Sequence, residues 1–185
     1  MVESHGLNQT PQSSDEIDKK YDVWDRIFLD VFDLHEYFHR ENRYGPVCFV
    51  LDVALLLDEK LPNIQITTNN PIYWKGKNNQ TNYYSAIDEY IDIFDECKSK
   101  KTIQQKMVTI LGNNYILPFN GYLRGILIDT IPNSEISQNA YEKLLSSLIE
   151  LGYDPRLLHK RECKNCYCSE NYLKYDKSII QKLFM

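Results

Sequence analysis

Apolar residues follow a helical spacing through the first part of the chain. Ser13 and Glu16 match a capping box, which predicts the start of a helix. The apolar positions after it recur mostly three and four residues apart, at Ile17, Tyr21, Trp24, Phe28, Val31, Phe32 and Phe38. Charged residues fill the other side, so we predict an amphipathic helix over 13–42. Residues 47–61 are apolar on nearly every side, which predicts a buried central helix, although 47–53 alone would also suit a strand.

The helical period disappears between residues 62 and 80. Two short apolar runs there flank an Asn-Asn-Pro string, which suits a short β-hairpin or an ordered loop. Further helices are predicted at 82–98, 102–111, 121–131, 134–151, after Asp154, and at 172–185, with a strand also open at 121–131. The predicted fold class is therefore mostly α, a single compact multi-helix domain of about seven helices.

The pattern predicts a simple domain organisation. Residues 1–12 are polar and predict a disordered tail, 13–185 form a single helical domain, and 155–185 form a basic, cysteine-containing C-terminal subregion of it. A length of 185 residues favours one domain. The hydrophobic content of 43% and the charged content of 25% exclude wholesale disorder.

Two features of the sequence bear on the location of the protein. The polar N-terminus lacks the apolar segment of a signal peptide. The longest apolar stretch, 47–57, is much shorter than the roughly 20 residues that a membrane span needs. We therefore expect no membrane contact and a cytoplasmic, intracellular protein. The five cysteines, an odd number without a secretion signal, favour reduced thiols or a bound metal over a disulfide framework.

Charge is unevenly distributed along the chain. The net charge of −5 argues against nucleic acid or an anionic membrane as a partner of the surface as a whole. From residue 156 onward, however, seven basic residues stand against three acidic ones. Cations interleaved with tyrosines can bind an acidic protein or a single nucleic-acid strand, or can form a solvated helix face. The candidate partner-binding residues in this part are Lys160, Arg161, Lys164, Tyr167 and Tyr172.

A further candidate lies in the long non-helical stretch. Trp74 stands in a polar loop region, and tryptophan is favoured at the centres of protein interfaces. The alternative is that its ring packs back onto the core. We keep Trp74 as a partner-binding candidate.

Residues 35–39 read H-E-x-x-H. On a helix, His35 and His39 lie one turn apart and can share a Zn²⁺, while Glu36 can act as general base on the metal-bound water. The string resembles the motif of zincin metallopeptidases over these five residues. It departs from that family in its charged neighbours and in having one helix and a polar tail, rather than a sheet, before it. The alternative is that the two histidines pack beside the aromatic stripe of the first helix.

A second metal candidate lies near the C-terminus. Cys163 and Cys166 have the C-x-x-C spacing that clasps a tetrahedral Zn²⁺, and His159 stands one helical turn upstream. Cys168 follows too closely for a second ordinary pair, so a complete site would need it in an unusual turn, or a remote ligand such as Cys97. The alternative is a loop in which reduced cysteines serve as small packing residues.

These observations favour contact over catalysis. No P-loop, G-x-G-x-x-G or G-x-S-x-G string is present, so nucleotide, dinucleotide and α/β-hydrolase chemistry have no support. We therefore expect a non-enzymatic accessory subunit or adaptor that acts by protein–protein contact within a larger assembly, with zinc as the one candidate cofactor. The alternatives are a zinc-stabilised module that contacts nucleic acid through the C-terminal third, and a small zinc metallopeptidase with Glu36 as its catalytic residue.

Overall fold

Short strands, more than helices, organise the described part of this chain. The computed structural model describes residues 6–8, 16–31, 33, 45–61, 63–76, 82–85, 106–111, 116–119, 121–161, 168–174 and 177–184. Within them lie eight strands, β1 (Gly6–Asn8), β2 (Arg26–Asp30), β3 (Val47–Leu51), β4 (Gln65–Ile66), β5 (Met107–Leu111), β6 (Ile116–Pro118), β7 (Leu123–Ile128) and β8 (Leu158–Lys160). The described α-helices are α1 (Glu16–Tyr21), α2 (Glu135–Glu150), α3 (Cys168–Lys174) and α4 (Lys177–Phe184).

Three short 3₁₀ turns complete the described elements: Val53–Leu57, Pro71–Tyr73 and Pro155–Leu157. The chain divides into two compact units, each built from two separate segments. The first unit comprises Glu3–Phe32 and Ala54–Pro118, and the second comprises Asp33–Val53 and Phe119–Met185.

The first unit contains an antiparallel sheet in the order β2-β5-β4 and a separate antiparallel pair, β1 with β6. Strand β5 lies in the middle, and Val108 and Ile110 point into the core. A buried cluster of Tyr21, Val23 and Trp74 packs nearby. Aromatic and β-branched side chains dominate this unit, as expected for strands that pair through packed faces.

The second unit contains a sheet in the order β3-β7-β8. β3 runs antiparallel to β7, whereas β8 runs parallel to it, because helix α2 carries the chain back between them. Beyond the exposed Arg124 near its start, the central strand β7 is apolar on both faces, which is typical of a strand buried on both sides. Gly125 lies where a Cβ atom would meet the carbonyl oxygen of Leu157 at 3.7 Å.

Helix α2 confirms the helix predicted over 134–151. Gly152 follows it with a φ of 76°, and its N–H donates to the carbonyl of Ile149. The N–H of Tyr153 donates to the carbonyl of Leu148. These two bonds form a Schellman motif, so the predicted terminating glycine does end the helix.

The prediction of a mostly α fold is wrong, and the first long helix shows why. Helix α1 ends at Tyr21, and Asp22 adopts a left-handed φ of 61°. The following residues form β2, which pairs over its full length with β5. The helical spacing of aromatic residues was outweighed by this pairing with distant residues, which no local pattern reveals.

The predicted central helix over 47–61 is also wrong. Residues 47–51 form the edge strand β3, and a 3₁₀ turn follows it. Val53 is 72% exposed and Leu57 is 77% exposed, whereas the helix interpretation placed both in the core. The β-branched and aromatic run at 47–50 favours a strand, because such side chains lose little rotamer freedom there.

The remaining predicted elements include some that are wrong and some that lie partly outside the described residues. The predicted 102–111 helix is strand β5 where it is described. The 121–131 segment contains strand β7, which was the alternative to the helix predicted there. Over 63–76, the described part of the 62–80 region, the chain forms an ordered loop, with β4 pairing with β5 rather than forming its own hairpin. β1 lies inside the predicted disordered tail. The predicted 82–98 helix lies outside the described residues beyond residue 85.

Candidate binding surface

The 3₁₀ turn Pro71–Tyr73 is shaped by its own sequence. Asn70 precedes it with extended backbone, and its side-chain oxygen accepts a hydrogen bond from the N–H of Ile72 at 3.0 Å. Pro71 occupies the first position of the turn, where its fixed φ is suited and its missing N–H is not needed. The N–H of Tyr73 donates to the carbonyl of Asn70 at 2.9 Å. The turn is therefore held by local hydrogen bonds at its start.

Trp74 holds the other end of the turn. Its ring is 5% exposed and lies edge-on to Tyr21 and Tyr83, with ring centroids 5.8 Å and 5.2 Å away. The hydroxyl of Tyr21 donates to the carbonyl of Trp74, and the indole N–H donates to the carbonyl of Asn69 at 3.3 Å. Buried indole rings carry a large apolar area, so this contact fixes the turn against the first unit.

The two residues before Trp74 point into solvent. Ile72 is 58% exposed and Tyr73 is 69% exposed, and exposed Lys75 follows the tryptophan. A large aliphatic and a large aromatic side chain thus stand together on a short turn that is fixed at both ends. Chemically, this arrangement can bury apolar area against another surface with little loss of backbone freedom.

Beside this turn, Tyr83 is in a partly buried position. Burial raises the pKa of its hydroxyl, and the nearby guanidinium of Arg26 acts in the opposite direction. The Arg26 guanidinium carbon lies 5.6 Å from the centroid of the Tyr83 ring. Tyr83 therefore separates the Trp74 ring from a cation.

The second unit contains a buried ionic network. Asp129 follows β7 and Arg161 follows β8, so the parallel pairing brings the two together, with Arg161 Nε donating to Asp129 Oδ1 at 2.8 Å. Arg161 Nη1 also donates to Asp33, and the Tyr172 hydroxyl donates to Asp129 Oδ2 at 2.7 Å. Burial alone would lower the pKa of Arg161, but its neighbours Asp33, Asp129 and Cys48 together outweigh that effect, so the pKa is raised. The network ties both strand ends to helix α3.

An open cleft of about 620 Å³ lies at the start of α2. Its lining is mixed polar and apolar and comes from Thr130, Ile131, Pro132, Asn133, Ser134, Glu135, Ser137, Gln138, Asn139 and Lys160. The Lys160 ammonium donates to Gln138 Oε1 at 2.9 Å and lies 4.7 Å from the Tyr141 ring centroid. Since Glu135 stands in the first turn of the helix, the lining balances one cation with one carboxylate.

The C-terminal candidates are placed in different environments. Lys160 is exposed on β8, but the Arg161 side chain is only 7% exposed, which corrects the expectation of a surface arginine. Tyr172 is 1% exposed and belongs to the buried network. Of Lys160, Arg161 and Tyr172, Lys160 alone lies on the surface, as the predicted cationic and aromatic surface requires. Lys164 and Tyr167 lie outside the described residues.

The metal candidates are described only in part. His35, Glu36, His39, Cys163 and Cys166 lie outside the described residues, and Cys168 is the first residue of α3. His159 is exposed on β8. Among the residues that the structure describes, no three His, Cys, Asp or Glu side chains are grouped as metal ligands. Both zinc hypotheses stay predictions.

The sequence interpretation singled out Trp74 in this loop as a partner-binding candidate, and that role stays a prediction. Trp74 packs onto the core, which was its alternative interpretation, while its neighbours Ile72 and Tyr73 are displayed. The signal was present in the Asn-Pro dipeptide, which predicts a turn at the residues that follow. Arg26 was missed, because the helix interpretation assigned it to a solvated polar face.

In comparisons with known proteins, no protein-family model, curated protein or solved structure matches the chain. Among the described helices, none has the length and apolar character needed to cross a membrane.

Proposed function

We propose that this protein acts by binding another protein through the turn Pro71–Tyr73, as a non-enzymatic accessory subunit or adaptor. The observation that carries the proposal is the pair Ile72 and Tyr73, two large apolar side chains held in solvent on a turn that is fixed at both ends. Tyrosine is enriched among the residues that contribute most to protein interfaces.

Energetics favour this use of the turn. Fully burying one large apolar side chain stabilises an interface by about 1.5–3 kcal/mol. A flexible loop would lose part of that gain in ordering its backbone, whereas the bonds of Asn70 and the packing of Trp74 keep this turn in one conformation. The binding free energy of the two side chains is therefore largely retained.

The partner that fits is a protein with an apolar recess bordered by negative charge. The recess would take the Ile72 and Tyr73 side chains, and the exposed ammonium of Lys75 beside them would face the border. Charged groups at an interface rim contribute mainly to the association rate and to partner choice.

The test compares the double variant I72A/Y73A with wild-type protein. Its matched control is I149A, which removes an equally exposed isoleucine from α2. Proteins retained from source cells by wild type and I149A, but not by I72A/Y73A, are purified, and their dissociation constants are measured with each variant. We expect the double variant to weaken binding by about tenfold or more, with I149A unchanged. Equal affinity of all three proteins for every retained partner would contradict the proposal.

A further inference from the structure

Arg26 opens the edge strand β2, and its side chain reaches the adjacent strand β5 and, beyond it, strand β4. Its Nη1 atom donates to Gln65 Oε1 on β4 at 2.6 Å and to Thr109 Oγ1 on β5 at 3.3 Å. Thr109 is fully buried and sits opposite Gln65 in the register of the two strands. The guanidinium is therefore fixed from one edge by two neutral acceptors.

The positive charge of Arg26 has no carboxylate partner among the described residues. Its Nε atom is shielded from solvent and has no hydrogen-bond partner in the part of the chain that the structure describes. Two other arginines differ, since Arg124 on β7 pairs with Asp52 at 2.7 Å and Arg161, which follows β8, pairs with two aspartates. Burying part of a charge costs free energy unless an opposite charge pairs with it, so an anion bound beside Arg26 would be stabilising.

The position of Arg26 links it to the turn that displays Ile72 and Tyr73. The Tyr83 ring contacts the guanidinium on one side and the Trp74 ring on the other. Trp74 is in turn the residue that fixes the turn. The cation is thus connected to the fixed turn through two ring contacts.

We propose that Arg26 binds a carboxylate, supplied by an Asp or Glu side chain of the protein partner. A carboxylate fits because the cluster of Arg26, Gln65, Thr109 and Tyr83 supplies one positive charge, whereas a phosphate dianion would leave a negative charge unmatched. The identity of the carboxylate donor rests on the proposed function, but the carboxylate site itself does not.

The site is tested with acetate as the probe, added to the full-length protein at constant ionic strength with chloride as the replacement anion. The ¹H–¹⁵N correlations of the arginine Nε groups are followed by NMR, and that of Arg26 is assigned by its loss in R26Q. Arg124, already paired with Asp52, is the internal control. If R26Q does not fold, R26K provides the assignment and keeps the charge.

A saturable acetate-dependent shift of the Arg26 signal, with the Arg124 signal unmoved, is the expected result. No shift, or equal shifts of both signals, would overturn the carboxylate site. The same titration on I72A/Y73A should give the same shift, because Arg26 does not depend on those side chains; this separates the site from the proposed function.

The partner's role is tested with the purified partner from the capture experiment. R26Q is expected to weaken binding by about tenfold or more. If R26Q binds as tightly as wild type while I72A/Y73A does not, the proposed function stands and the assignment of the carboxylate to the partner is overturned.

Discussion

Arg161 lies between two carboxylates, and this position governs the effect of single substitutions in the second unit. Its side chain and that of Asp129 are both nearly inaccessible to solvent. A buried charge that loses its partner destabilises a protein more than the intact pair stabilised it. Substitutions here should therefore act on folding before they act on any surface property.

We expect Arg161→Gln to lower the free energy of unfolding by about 3–5 kcal/mol, because Asp129 then keeps a buried charge without its cation. Tyr172→Phe removes a single hydroxyl bond to Asp129 and should cost about 1–3 kcal/mol. Urea denaturation followed by circular dichroism measures both. Arg156→Gln is the control, since its ion pair with Asp154 is exposed and should leave the unfolding midpoint unchanged.

The Cys48 thiol predicts a pH effect. Burial raises its pKa above the usual value of 9.0, the largest influence on it, although the Arg161 guanidinium acts in the opposite direction. The native state therefore favours the neutral thiol, so this group stabilises the fold below about pH 9 and that contribution is lost as pH rises further.

Alkylation by iodoacetamide, read from the Cys48 peptide by mass spectrometry, should need a higher pH in native protein than in urea-unfolded protein. The unfolded protein is the control for intrinsic reactivity. Matching pH–rate profiles in the two states would show that the fold does not shift this thiol.

At the scale of elements, the sequence predicted what is local and missed what is distant. Helix α2 was predicted because its period, its length and its terminating glycine all lie within one stretch of chain. Strand β2 was missed and strand β3 was only an alternative to a helix, because each is defined by a partner far away in sequence, β5 for one and β7 for the other. A short apolar run is compatible with both states until its partner is known.

For the candidate binding surface, too, the local features were predictable from the sequence and the long-range contacts were not. The loop and its turn residues were visible in the sequence, because Asn-Pro strings have local consequences. Which of three adjacent large side chains would be buried depended on Tyr21 and Tyr83, and these approach from other segments. The sequence pattern therefore predicts the turn, but it does not predict which of its side chains are buried.

The end of α2 provides a test at the element scale. Gly152 has a φ of 76°, and no atom lies within 4 Å of an added Cβ, so Gly152→Ala should cost about 1 kcal/mol through backbone strain alone. Gly76 also has open space but no positive φ, so Gly76→Ala should be neutral or slightly stabilising. Thermal unfolding of the two variants beside wild type gives the comparison. Equal losses of thermal stability in the two variants would indicate that the Schellman motif does not need glycine.

For the whole molecule, net charge sets solubility. The chain carries −5 at neutral pH and has an isoelectric point near 5.4. Like-charge repulsion between molecules vanishes at that pH, so we expect a solubility minimum close to pH 5.4 and rising solubility on both sides. Turbidity and supernatant concentration across pH 4–8 measure it, at roughly constant ionic strength. A minimum above pH 7 would show that part of the acidic surface is neutralised.

The crossover of α2 between β7 and β8 also has a consequence for the order of folding. β7, α2 and β8 follow one another directly along the chain, so their contacts form without closing a long loop. β3 belongs to the same sheet but must be recruited from a distant upstream segment, since Val47 pairs with Ile128. Loop-closure entropy delays such pairings. During refolding, amide hydrogens of β7 that bond to β8 should therefore gain protection from exchange before those that bond to β3. Until β3 pairs with it, one edge of β7 is open to pairing with another copy of the chain.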